Sequence, residues 1–184
     1  MKCILISDIN NKPMCGGELA LLLPKDMQLH LLSLANLVGK PDLSGMELHD
    51  HLIHQGGMTR AVQQLLKQHQ TTDIAIGYSA GGTVLWRACL AGLNCTDLFC
   101  LSSTRLRNES NKPTARTHIF FDQGDITISS QEKLLQLSDH FYLIGHDGHT
   151  AYLNPNSKMS QLARRHVHEA IAENPSKPSC IRII

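Results

Sequence analysis

Gly77-Tyr78-Ser79-Ala80-Gly81 sets a serine between two glycines, each one residue removed from it. A free serine hydroxyl is a weak nucleophile and needs a base to take its proton. The setting makes this serine a candidate. Ile74-Ala75-Ile76 reads as the end of a buried strand, and a helical pattern opens at Ala80. A strand, a sharp turn and a helix in that order form an elbow that strains the serine backbone and lifts its hydroxyl clear of the sheet. Gly77 and Gly81 carry no β-carbon to collide inside so tight a turn, and Gly82 adds room. The helix that follows points its N-terminus at the serine, where negative charge would develop. The chemistry implied is attack on an electrophilic carbon through a covalent intermediate. The simpler alternative is a glycine-rich turn with an incidental serine.

The elements that must position this serine alternate in character along the chain. Residues 2–8, 27–34, 73–78, 97–101, 118–121 and 140–144 read as short, near-continuous apolar strands. Helices are expected at 18–23, after Gly16-Gly17, and at 58–69, 80–90, 130–137 and 157–172. Residues 35–57 read as a long polar, glycine-containing stretch. Buried strands separated by helices predict an α/β fold, a three-layer α/β/α sandwich around a mainly parallel sheet of about six strands. Active residues then gather at the carboxyl ends of the strands. The 184 residues suit one domain, expected over 1–174, with a proline-containing tail over 175–184.

Composition narrows the partners. Seventeen basic and sixteen acidic side chains leave a net charge of +1, which argues against a nucleic-acid footprint. No apolar run approaches the ~20 residues that span a bilayer. The six cysteines (Cys3, Cys15, Cys89, Cys95, Cys100 and Cys180) form no Cys-x-x-Cys pair, and several lie in apolar runs. Met1 to Ile6 turns polar too soon for a signal peptide, so a reducing cytoplasm is the expected compartment. Gly16-Gly17 lacks the G-x-G-x-x-G spacing of a dinucleotide loop.

With its elbow and strand–helix alternation, the chain resembles the α/β-hydrolase superfamily, as a small esterase-like member without a cap. The resemblance covers roughly residues 1–172 and rests on three short motifs. It implies the chain order nucleophile, acid, histidine. The acid is then expected in the loop after 118–121, within Asp122-Gln123-Gly124-Asp125, where Asp125 matches the family position and Asp122 is the rival. The histidine is expected after the last strand, in Gly145-His146-Asp147-Gly148-His149. His149 follows a glycine as in the family, and His146 is the alternative. An oxyanion hole is implied at the backbone N–H of Ala80 and at Ile9 or Asn10 after the first strand. Many relatives carry His-Gly there, whereas this chain has Ser7-Asp8-Ile9-Asn10, which sets a carboxylate beside the expected donors. The segment 102–116, where many relatives insert a lid, is short and polar. Its Arg105 and Arg107 lie at the right end of the sheet for an anionic substrate, or are solvated loop residues.

The function implied is hydrolysis of a small-molecule ester or thioester through an acyl-enzyme, with Ser79, His149 and Asp125 as the triad and no cofactor. Two other readings compete. A catalytically silent domain of the same fold could bind a ligand or partner, and the altered first loop favours it. His49, His51 and His54 have the H-x-H-x-x-H spacing of metal hydrolases, with Ile53 where that motif normally has aspartate. A polar, histidine-rich loop or helix start is the alternative there.

Overall fold

The computed structural model describes residues 1–12, 23, 27–128 and 130–173. The helix expected at 18–23 and the tail over 175–184 fall outside the described residues, apart from Leu23.

Six strands form one sheet: β1 (Lys2–Ile6), β2 (Gln28–Leu32), β3 (Thr71–Tyr78), β4 (Asn94–Leu101), β5 (Arg116–Phe121) and β6 (His140–Leu143). Their order is β2-β1-β3-β4-β5-β6 and every neighbouring pair is parallel. The helices are α1 (Leu34–Leu37), α2 (Gly45–His54), α3 (Gly57–Gln68), α4 (Ala80–Leu90), α5 (Gln131–Leu137) and α6 (Lys158–Glu173). Short 3-10 turns occupy Thr104–Asn108 and Ala151–Leu153. The fold is a three-layer α/β/α sandwich.

Alternation along the strands explains the layers, because successive side chains of a strand point to opposite faces. Ile4, Ile6, Ala75, Leu98, Cys100, Ile119 and Phe121 face one core, closed by Leu48 and Leu52 of α2, Leu65 of α3, Leu85 and Trp86 of α4 and Leu134 of α5. Cys3, Leu5, Ile74, Ile76, Phe99, Leu101 and Phe120 face the other, closed by Met159, Ala163, Val167 and Ile171 of α6. Both faces are apolar, so the central strands read as unbroken hydrophobic runs. None of the described helices is long and apolar enough to cross a membrane.

Residues 35–57 depart from expectation, since they hold most of α1 and all of α2 rather than one polar stretch. Ser33 caps α1, its Oγ accepting the Asn36 N–H at 3.4 Å. In α2 the fully buried apolar residues are Leu48 and Leu52, with Ile53 partly buried beside them, while Met46 on the same helix is 71% exposed. So narrow a stripe among histidines and acids carries little helical periodicity. Strands β3, β4 and β5 also begin two or three residues earlier than their apolar runs, with polar residues such as Thr71, Asn94 and Arg116 at their starts.

Candidate active site

Four strand ends build the site: β1 leads to Ile9, β3 to Ser79, β5 to Asp125 and β6 to His149. Parallel strands put all four loops on one edge of the sheet. Ser79 sits at φ 49°, ψ −117°, a backbone conformation rarely adopted by residues other than glycine. Its N–H donates to the Leu101 carbonyl at 2.8 Å, which ties the turn to β4. The glycines are required sterically. A β-carbon on Gly77 would strike the Gly82 backbone, and one on Gly81 would strike the carbonyl oxygens of Ser7 and Ile6. The Gly81 contact brings the start of α4 against the end of β1.

The three side chains form a continuous chain of hydrogen bonds. Ser79 Oγ lies 3.1 Å from His149 Nε2, and His149 Nδ1 lies 2.7 Å from Asp125 Oδ2. A carboxylate only accepts, so Nδ1 carries the proton and Nε2 is left to accept from the serine. Asp125 Oδ1 accepts the Thr127 N–H at 2.9 Å and the Thr127 hydroxyl at 2.5 Å. The Asp125 side chain is fully buried, whereas that of His149 is 34% exposed and faces the cleft. Burial of the acid strengthens its hold on the imidazole, because a low-dielectric setting screens less.

The rival residues lie elsewhere. Asp122 does not reach His149; its Oδ1 accepts the N–H of Gly124 at 2.8 Å and of Gly148 at 2.9 Å. It thus pins the loop that carries His149. Its Oδ2 is buried with no hydrogen-bond partner among the described residues, packed where a β-carbon on Gly145 would fall. His146 is exposed. Two buried thiols are unsuited as nucleophiles: burial pushes the Cys3 thiol up to about 12 and raises that of Cys100 as well.

The two expected donors of the first loop separate. The Asn10 N–H is already given to Asp8 Oδ1 at 2.8 Å, while Ile9 lines the cleft beside Ala80. The N–H groups of Ile9 and Ala80 donate to no described residue. Asp8 itself is 1% exposed and turned inward, its Oδ1 also taking the Lys12 N–H at 2.7 Å and its Oδ2 the Tyr152 hydroxyl at 2.9 Å.

The three histidines of α2 do not converge. His51 is buried, with Nδ1 3.1 Å from Gln55 Oε1 and Nε2 3.4 Å from Arg60 Nη1. His49, two residues and about 200° round the helix, reaches the cleft instead, where its Nε2 lies 3.3 Å from Arg105 Nη2. No three His, Cys, Asp or Glu side chains among the described residues are placed to hold a metal ion.

The fold is that of the α/β-hydrolase type. No family model matches the chain, and no curated protein does. Solved structures match along almost the whole chain. Est1E from Butyrivibrio proteoclasticus, solved with ferulic acid bound, superposes with a TM-score of 0.60 at 16% identity over 94% of this chain and 90% of its own. The RedJ thioesterase of the prodiginine pathway in Streptomyces coelicolor gives 0.59 at 12% identity, over 93% and 89%. A serine hydrolase involved in carbazole degradation gives 0.58 at 12% identity, over 94% and 91%. At such identities the likeness is one of fold.

Proposed function

We propose that this protein is a serine hydrolase that cleaves a small ester or thioester through an acyl-enzyme. The observation that carries the reading is the unbroken Ser79–His149–Asp125 relay at 3.1 and 2.7 Å, beneath an elbow serine held in a strained backbone conformation. Folding gains nothing from such strain, which persists where surrounding structure enforces it and function uses it.

In this mechanism Ser79 Oγ attacks the substrate carbonyl carbon while His149 Nε2 takes its proton. Asp125 holds the imidazole in the right tautomer and stabilises the imidazolium. The carbonyl oxygen gains negative charge against the N–H groups of Ala80 and Ile9, and the N-terminus of α4 adds its favourable field. Each such donor typically contributes about 3 kcal/mol to the transition state. His149 returns the proton to the departing alkoxide or thiolate. Water, activated by the same histidine, then releases the acid and restores the serine.

The cleft has a volume of about 250 Å³, below the roughly 300–1,000 Å³ of pockets that engulf drug-sized ligands. That size supports a small substrate, as does the short 102–116 segment. An ester or thioester is favoured over an amide because its leaving group departs more readily. The fold mates Est1E, solved with ferulic acid bound, and the RedJ thioesterase fit this choice. Short-chain p-nitrophenyl esters and matching acyl thioesters test it directly. Turnover by the native chain and none by Ser79→Ala supports the reading, and equal turnover by both refutes it.

A further inference from the structure

The cleft that holds Ser79 and His149 has a second, strongly basic side. The 3-10 turn Thr104–Asn108 follows β4 at the same edge of the sheet and sends both Arg105 and Arg107 into the cleft wall. Arg105 Nη2 rests 3.3 Å from His49 Nε2, and Arg107 Nη1 donates to the Thr127 carbonyl at 3.3 Å. Thr127 is the residue that brackets the Asp125 carboxylate, so this basic wall is joined to the loop of the acid.

Neither arginine has a carboxylate partner among the described residues. Elsewhere in the fold Arg87 is paired with Glu109, and Arg116 with Asp97 and Glu173. The carboxylates nearest the reacting atoms make no ion pair with either arginine. Asp125 is committed to His149 and Thr127, and Asp8 to Tyr152 and its own loop. The cleft wall thus carries two guanidinium groups with no ion-pair partner among the described residues. Partial burial, and then the charges of Arg107 and Arg87, pull the Arg105 guanidinium below its ordinary value. Burial first, and Arg105 next, lower His49 as well. A neutral His49 accepts an N–H of Arg105 and orients its fork.

We infer that Arg105 and Arg107 form a specificity subsite for an oxyanion group, so that the substrate is a small ester or thioester bearing a carboxylate or phosphate close to the scissile bond. Guanidinium forks match both groups in geometry and remain charged at any working pH. The inference rests on the serine-hydrolase reading of the same cleft and goes beyond it by naming the substrate class.

Two pairs of esters test it. One compares p-nitrophenyl glutarate, a free carboxylate, with its neutral methyl ester. The other compares 4-acetoxyphenyl phosphate with neutral 4-methoxyphenyl acetate. For at least one pair, kcat/KM should favour the charged ester by about tenfold or more at low salt. That advantage should shrink as ionic strength rises. Preference in the carboxylate pair assigns a carboxylate, and preference in the phosphate pair alone assigns a phosphate. The combined variant Arg105→Gln, Arg107→Gln should bring the charged-to-neutral ratio close to one, and Arg107→Lys should retain part of it. Hydrolysis of all four esters without a charge preference overturns the inference and leaves the serine-hydrolase reading intact. So does a preference that survives in the combined variant. Failure to hydrolyse any ester, together with no fluorophosphonate labelling of Ser79, overturns both.

Discussion

Tyr152 donates its hydroxyl to Asp8 Oδ2 at 2.9 Å, and both side chains are buried. This bond changes what the first loop can do. A carboxylate beside an oxyanion hole would oppose the negative charge that the hole must bind. Here it is drawn away by the tyrosine on one oxygen and by the Asn10 and Lys12 N–H groups on the other. Asp8 thereby shapes the loop that brings Ile9 to the cleft. Burial, and then Asp8 itself, raise the Tyr152 phenol, so it stays a donor. Tyr152 follows His149 by three residues, and the bond joins the first loop to the histidine loop.

Tyr152→Phe leaves a buried carboxylate oxygen unpaired. The expected loss is about 1–3 kcal/mol of stability, measured by urea unfolding. The kcat of ester hydrolysis should fall by about tenfold or more as the Ile9 donor shifts. Unchanged kcat with lowered stability would confine Tyr152 to a structural role.

Asp122 is expected to matter through Gly148, whose N–H it holds at 2.9 Å next to His149. Asp122→Ala should cost about 1–3 kcal/mol and lower kcat modestly, with KM little changed. On the proposed mechanism Asp125→Asn removes the orienting carboxylate and should lower kcat far more, by about 10⁴-fold as in Ser-His-Asp triads. Steady-state kinetics of the two variants side by side separate the anchor of the loop from the member of the relay.

Gly81→Ala should damage both fold and activity, because the new methyl meets backbone oxygens of Ser7 and Ile6 that cannot swing aside. Overpacking of this kind typically costs about 1–3 kcal/mol. Gly92→Ala is the informative contrast: its β-carbon would meet nothing, but at φ +116° the backbone strain remains. It should lower the thermal midpoint without altering kcat.

Stability should fall on acidification through a buried network at the opposite, amino-terminal part of β4 and β5. His118 lies 3.0 Å from Asp97 Oδ1, and Arg116 Nε donates to the same oxygen at 2.6 Å. Burial lowers the His118 pKa, outweighing the pull of Asp97 in the other direction. A histidine lowered in the fold is favoured neutral, so its contribution is complete above the unfolded value of about 6.5 and declines as pH drops below it. Burial acts to raise Asp97, but the bonds from His118 and Arg116 prevail and hold it low. Its contribution is complete above the unfolded carboxylate value and is lost as pH falls through the lower folded one. The urea midpoint should therefore drop between pH 7 and 5.5, and drop less in His118→Gln.

The strands and the elbow were legible because their signals are local. Unbroken apolar runs mark buried parallel strands, and Gly77 and Gly81 mark a turn that excludes a β-carbon. Helix α2 was not legible, since its fully buried apolar residues are only Leu48 and Leu52 and those between them are polar. Choosing Asp125 over Asp122 from sequence relied on family position. Both carboxylates lie in one loop, and which of them meets His149 is set by the packing of Asp122 under Gly145 and Gly148. Ile9 and Asn10 were equally inseparable, because the difference is the Asp8–Asn10 bond. For Arg105 and Arg107 the sequence left an anionic-substrate contact and a solvated loop both open, because only the turn after β4 shows that they line the cleft with Ser79.

The central claim, that His149 activates Ser79 for covalent chemistry, is tested most directly by fluorophosphonate labelling followed by intact mass and peptide mapping. One adduct per chain, on Ser79, is expected, with none in Ser79→Ala and at most slow labelling in His149→Ala. A folded native chain that takes up no label, or labels equally well without His149, would contradict it.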